Sequence, residues 1–235
     1  MDIQRHEVSR RAAVAAVVGA GAFGVAGVVA TPAHAAVRTL ERGHTGADVL
    51  ALQKRLAQLR YWVGTPDGTF GHLTQQAVWA LQKVAGVSRT GKVAAVERSL
   101  LSRGVRTRPR STSGNVLEVD LARQLLFVIG NGALVYVLNT STGSGERYYS
   151  GSSWKTARTP TGSYSIYYRW PNGWQNGSLG SMWRPTYWKG DFAIHGSQSI
   201  PPYPASHGCC RVSTAAQDML WAQGRVAIGR RVWVY

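Results

Sequence analysis

The 235-residue chain is short of cysteine, of acid and of long apolar stretches, and each shortage excludes something. Its only two cysteines, Cys209 and Cys210, are neighbours. A disulfide between adjacent residues closes a small strained ring and ties no distant segments together, which excludes a disulfide-stapled scaffold. A pair so poorly placed for structure points instead to a thiol that does chemistry. Acidic residues number 11 against 27 lysines and arginines. Residues 36–104 carry 10 basic and 4 acidic groups and residues 114–235 carry 11 and 5, so the excess is spread along the chain and is not a basic tail. Such a field attracts polyanions, whether nucleic acid, teichoic-type polymers or carboxylate-rich peptidoglycan, and charge alone does not choose among them. Charged low-complexity runs are missing too, and 44% of the residues are hydrophobic, which excludes a largely disordered chain.

One uncharged stretch stands out. Arg5, Arg10 and Arg11 precede Ala12–Ala30, built mainly of Ala, Val and Gly, and Ala33-His34-Ala35 supplies a small-x-small cleavage pattern. This is the layout of an export signal over residues 1–35, and Ser9-Arg10-Arg11 suits a twin-arginine route. An uncleaved anchor is the rival, but Ala and Gly are weak spanning residues. The expected mature protein is exported to the cell wall, periplasmic space or medium, with no lasting membrane insertion and no nucleic-acid partner.

Residues 36–102 read as a small helical unit. Val49, Leu52, Leu56 and Leu59 recur at spacings of three and four, which lays one apolar stripe along a helix. Gly64, Pro66, Asp67, Gly68 and Gly71 then break regular structure. A second stripe runs through Ala77, Val78, Leu81 and Val84, with Thr74 near its start, and a third short helix is expected around Val93–Leu101. The run Gly46-x-Asp48-Val49-x-x-Leu52-Gln53, Asp67-Gly68-x-Phe70-Gly71-x-x-Thr74 and Ala77-Val78-x-x-Leu81-Gln82 resembles the bacterial peptidoglycan-binding domain. The resemblance implies a three-helix bundle that binds the glycan and stem peptides of the wall. Residues 103–113 have no apolar period and read as a basic linker.

From Asn115 the period changes to two. Val116–Asp120, the near-continuous apolar run Gln124–Ile129 and Ala133–Leu138 read as strands, with Gly130-Asn131-Gly132 as a hairpin turn. Thr159-Pro160-Thr161-Gly162 turns the chain before Ser163–Tyr168; Ser213 is placed to cap a short helix through Leu220 and Trp221, and Arg231–Tyr235 ends the chain as a strand. Residues 114–235 therefore form a mainly β domain. Tyr167, Tyr168, Trp170, Trp174, Trp183, Tyr187 and Trp188 crowd one stretch; most are expected in the core, while Gly173, Gly177 and Gly180 suggest a mobile flap.

Chemistry concentrates in Ile194-His195-Gly196 and, after residues 197–205, Ser206-His207-Gly208-Cys209-Cys210-Arg211. A thiol is a weak nucleophile at neutral pH until an imidazole takes its proton or holds it as a thiolate–imidazolium pair. Gly208 permits backbone shapes that aim N–H groups at a developing oxyanion, and Arg211 is a fixed cation suited to a carboxylate. Zinc held by His195, His207 and Cys210 is the competing reading, although structural sites space paired ligands by two or more residues.

The pattern His-Gly, then Ser-His-Gly-Cys-x-Arg, resembles the L,D-transpeptidase catalytic domain, over roughly residues 114–235. The resemblance implies a β-sandwich fold, Cys209 as nucleophile and His195 as general base. Ser206 and His207 shape the site, Gly208 and Cys209 supply oxyanion N–H groups, and Arg211, Gly196 and Tyr203 meet the substrate. It implies no metal or cofactor, and a 3→3 crosslink made through a Cys209 thioester. An L,D-carboxypeptidase, which gives the same thioester to water, and a non-catalytic wall-binding protein are the alternatives. Cys210 departs from the family, which usually has an aliphatic residue there, and raises the question of a Cys209–Cys210 oxidation.

Overall fold

The structure, a computed structural model, describes residues 38–235; the export signal expected in residues 1–35 lies outside them. Three helices open it: α1 (Ala47–Gln58), α2 (His72–Ala85) and α3 (Ala95–Ser102). Their apolar stripes meet as expected, with Val49, Leu52 and Leu56 from α1, Ala77, Val78 and Leu81 from α2, and Leu100 and Leu101 from α3 all buried. The turn between α1 and α2 is organised by one buried amide. Gln53 Nε2, with two N–H bonds, has Asp67 Oδ1, Thr69 O and Thr74 Oγ1 within hydrogen-bond distance, while its Oε1 accepts from the Asp67 and Gly68 N–H groups. That explains why Gln53, Asp67 and Thr74 stand in one pattern: each is a partner in the same network, and Phe70 of the same turn is fully buried in the core.

Twelve strands and one helix follow: β1 (Val116–Asp120), β2 (Leu125–Gly130), β3 (Ala133–Asn139), β4 (Arg147–Ser150), β5 (Ser153–Thr156), β6 (Gly162–Ser165), β7 (Tyr168–Arg169), β8 (Trp174–Gly177), β9 (Gly180–Lys189), β10 (Phe192–Ser197), β11 (Cys210–Ser213), α4 (Thr214–Ala222) and β12 (Arg231–Val234). One sheet has the order β3-β2-β1-β12-β6; a second has β11-β10-β9-β7 with β8 also on β9, and β4-β5 is a separate hairpin. Ser213 caps α4, its Oγ accepting from the Ala216 N–H at 3.1 Å. Leu117, Val119, Leu126, Val128 and Leu138 of the first sheet pack with Ile194, Cys210 and Val212 of the second and Leu220 of α4 in one core.

The other face of the first sheet is not solvated. Val116, Leu125, Phe127, Ile129 and Val137 form a second core with Leu40, Leu56, Leu59, Tyr61 and Leu81 of the helical unit. Segment 60–62 also lies along the edge of β3, with Val137 N–H to Arg60 O at 2.8 Å and Trp62 N–H to Val137 O at 3.2 Å, so the sheet presents no open edge there. Residues 103–113 form no helix or strand, yet they are not a free spacer. The Arg110 and Ser111 N–H groups donate to the fully buried Glu118 carboxylate, and the Arg110 guanidinium sits 3.6 Å from the centre of the Tyr235 ring. A buried carboxylate needs such donors, and this one takes them from the connecting segment.

The aromatic stretch corrects an expectation. Tyr187 and Trp188 are buried, but Tyr167, Tyr168 and Trp174 are exposed by 54%, 45% and 38%. The reason is topological: β7 and β8 pair one after the other along the same edge of β9, so Tyr168 and Trp174 lie on the outermost strands of that sheet.

Candidate active site

The strand pairing sets the site. β10 and β11 run parallel, with Ile194 opposite Cys210 and His195 opposite Arg211. Side chains alternate across a strand, and both Ile194 and Cys210 point into the core. His195, Cys209 and Arg211 must therefore turn to the opposite face, and all three line a cleft of about 640 Å³. Cys210 occupies its core position as an aliphatic residue would, fully buried. Cys209 and Cys210 thus face opposite ways, and joining them would require β11 to leave its place in the sheet.

The turn bearing Cys209 is pinned atom by atom. Ser206 Oγ donates to Cys209 O at 2.6 Å and accepts from the Gly208 N–H at 3.0 Å. Thr159 Oγ1 donates to Gly208 O at 2.7 Å and accepts from the Gly143 N–H at 3.0 Å, which gives the Thr159-Pro160-Thr161-Gly162 motif a role beyond turning the chain. Gly208 has φ +135°, and a Cβ there would stand 2.5 Å from Phe192 Cε1, so only glycine fits. One expectation is corrected here. The Gly208 N–H is engaged by Ser206 and is not an open oxyanion donor, so Gly208 serves the site through backbone shape.

His195 is buried, and its Nδ1 lies 2.9 Å from Gly196 O. A carbonyl can only accept, so Nδ1 carries the proton and Nε2 keeps a free lone pair. Burial pulls the imidazole pKa down to about 4; the Gly196 carbonyl opposes the fall and Arg211 adds to it. The Cys209 thiol is pushed up, first by burial, while a backbone hydrogen bond at Ala193 and the Arg211 charge pull the other way. Its Sγ donates to Asp191 O at 3.5 Å. The resting pair is thus a neutral thiol and a neutral imidazole, the first of the two arrangements that the sequence leaves open.

His207 and Ser206 line the same cleft. The His207 ring meets Tyr148 edge-on, with centroids 4.7 Å apart. Two expected substrate contacts are not gathered there. Gly196 lies beside the cleft as the acceptor for His195, and a Cβ on it would press on Thr214 Cα at 2.9 Å. The Tyr203 ring is exposed outside the lining; its carbonyl accepts from Ser141 Oγ at 2.8 Å.

Sequence reasoning missed the walls. Tyr148 and Lys155, opposite each other on the β4-β5 hairpin, line one side, and residues 175–182 of the β8-β9 hairpin line the other. The second wall falls where the glycines suggested a flap. For the first, the only signal is the two-residue alternation in Tyr148-Tyr149 and Trp154-Lys155, which leaves Tyr149 and Trp154 on the outer face. Among the described residues no three His, Cys, Asp or Glu side chains are gathered so as to hold a metal ion.

Known families resemble both parts of the chain. A family model described as the L,D-transpeptidase catalytic domain matches residues 114–234, and one described as a putative peptidoglycan binding domain matches residues 45–94. The crystal structure of an L,D-transpeptidase from Xylanimonas cellulosilytica is 46% identical, with 86% of this chain and 99% of that chain covered and a TM-score of 0.82. An L,D-transpeptidase from Stackebrandtia nassauensis is 19% identical over 83% of this chain and 94% of that one, with a TM-score of 0.49. None of the curated proteins compared matches the chain.

Proposed function

The chain belongs to the L,D-transpeptidase family and acts on peptidoglycan, and on that premise we propose that Cys209 is the nucleophile and His195 the base of a 3→3 crosslinking reaction. The observation that carries the assignment is the shared face: His195 on β10 and Cys209, in the turn just before the neighbouring parallel strand β11, open into one cleft.

In the first half-reaction, His195 Nε2 takes the Sγ proton as sulfur attacks the carbonyl after the third stem residue. The C–S bond forms, the C–N bond to terminal D-Ala breaks, and His195 returns the proton to the leaving amine. In the second, a side-chain amine of another stem attacks the thioester. The new C–N bond forms, the C–S bond breaks, and the amine proton passes by way of His195 back to sulfur. With the Gly208 N–H engaged, the Cys209 N–H is the donor assigned to the oxyanion. Arg211, whose own pKa burial lowers, stays cationic at the cleft and meets a substrate carboxylate. Export by the signal in residues 1–35 delivers the enzyme to the wall, where the helical unit and the basic surface concentrate it on the polymer.

Purified tetrapeptide fragments test this. Wild-type protein should yield crosslinked dimers by mass spectrometry, and Cys209→Ala none. Trimmed monomer without dimer would make the protein a carboxypeptidase. A carbapenem should add its mass to the wild type and not to Cys209→Ala; an unmodified wild type would leave only a wall-binding role.

A further inference from the structure

The helical unit does more than cover a sheet. Helix α2 and the segment after it send three polar side chains to backbone carbonyls that carry the catalytic loop. Gln76, 6% exposed, donates from Nε2 to Ile200 O at 3.2 Å and accepts from Asn139 Nδ2 at 2.6 Å; Asn139 Nδ2 in turn reaches Ile200 O at 3.2 Å. Lys83, 2% exposed, donates from Nζ to Gln124 O at 2.8 Å, to Thr140 O at 3.1 Å and to Asn139 Oδ1. Arg89 Nη1 donates to Pro202 O at 2.7 Å.

These acceptors bracket the site from two directions. Ile200 and Pro202 belong to residues 198–205, which join His195 to the Cys209 turn. Residues 139–142 hold the far end of that turn. Thr140 Oγ1 donates to Arg211 O at 2.8 Å, Ser141 and Arg211 exchange backbone hydrogen bonds at 3.0 and 3.2 Å, and Thr142 O accepts from the Ala205 and Ser206 N–H groups at 3.0 and 2.9 Å. Lys83 thus stands one hydrogen bond behind Thr140, which grips Arg211, while Gln76 reaches the loop itself at Ile200 O and meets Asn139 at the start of the gripping segment. A unit that only tethered the enzyme to the wall would need no buried lysine amine here, since burying one is costly unless its N–H groups are satisfied. Burial, and then Arg89, pulls the Lys83 pKa down to about 6, and the three acceptors, which match the three N–H bonds of the ammonium, are what favours its charged form.

We propose that the peptidoglycan-binding unit is part of the catalytic apparatus, with Gln76, Lys83 and Arg89 as positioning residues that fix loop 198–205 and the Cys209 turn. The proposal rests on the assignment of Cys209 and His195 above. Its test uses the full chain and soluble tetrapeptide fragments, on which tethering to a polymer has no effect.

Gln76→Ala and Arg89→Ala should each lower kcat about fivefold, the equivalent of one hydrogen bond, with KM within about twofold. Backbone hydrogen exchange over residues 198–209 should quicken in both. Arg89→Lys, which keeps a donor for Pro202 O, should recover most of the loss; a purely structural defect would not respond this way. Lys83→Met strips three bonds from a buried site and can unfold the chain, so the Arg89 pair on the surface decides. Folded Gln76→Ala and Arg89→Ala proteins with unchanged kcat, or with losses confined to binding of intact wall, overturn the proposal. Wild-type protein as inert as Cys209→Ala on the same fragments overturns the catalytic assignment, and the positioning role falls with it.

Discussion

The neutral resting pair makes a sharp statement about pH. An ordinary histidine has a pKa of 6.5 and would be only about 9% neutral at pH 5.5; His195, held down to about 4, is about 97% neutral there. Because only the neutral ring can take the thiol proton, acylation should keep nearly its full rate down to pH 5.5 and fall with an acid limb centred near 4. The upper limb should lie above the usual thiol range, since burial raises Cys209. The assay is single-turnover formation of the carbapenem adduct from about pH 3.5 to about 10, which reports the free enzyme's groups. Such limbs belong to the coupled pair, so the midpoints are read as those of the dyad. The same burial has a cost in stability. Below pH 6.5 the unfolded chain binds a proton that the folded ring refuses, so stability present above 6.5 is lost as pH falls towards 4, by up to about 3 kcal/mol for a shift from 6.5 to about 4. Unfolding must therefore be followed alongside. An acid limb at pH 6–7 with the protein still folded would refute the lowered imidazole pKa, and a fall in rate already between pH 8 and 9 would favour a thiolate–imidazolium ground state instead.

Three substitutions probe the rest of the site. Gly208→Ala places a methyl 2.5 Å from Phe192 Cε1 at φ +135°, and should cost about 2–4 kcal/mol, seen as a Tm drop of about 5–15 °C with loss of adduct formation. Thr159→Val leaves the Gly143 N–H and Gly208 O without their shared partner, which should slow acylation about tenfold while the chain stays folded. Cys210→Val should change stability by less than about 1.5 kcal/mol and keep the adduct, because Cys210 acts as a core apolar residue. By the same reasoning, mild oxidation of the native protein should give no internal disulfide; a two-dalton loss in intact mass would contradict the opposed facing of the two thiols.

How much of this was legible beforehand depends on whether the physics is local. The helical stripes and the Ser213 cap are readable because spacing alone decides them, and the motif around Cys209 because it resembles that of a known family. The opposition of Cys209 and Cys210 was not, since it depends on which face of β11 meets the core, a matter of sheet register. Nor could spacing show that the Gly208 N–H is taken, because its acceptor, Ser206 Oγ, is fixed only once the turn has formed.

The most instructive case is Gln124–Ile129. In an antiparallel sheet with one wet face, a strand alternates apolar with polar; a continuous apolar run states that both faces are covered. Leu126 and Val128 fill the sandwich, while Leu125, Phe127 and Ile129 require a second layer, and that layer is the helical unit. Read this way, the run already contradicts a free linker at residues 103–113: a detached helical unit would leave three large apolar side chains of β2 in water. Burying a side chain of that size contributes about 1.5–3 kcal/mol, so for these three together the attached arrangement is favoured by several kcal/mol over a tethered one. A packed interface of this kind is what allows Gln76 and Lys83 to reach the catalytic loop at fixed distances.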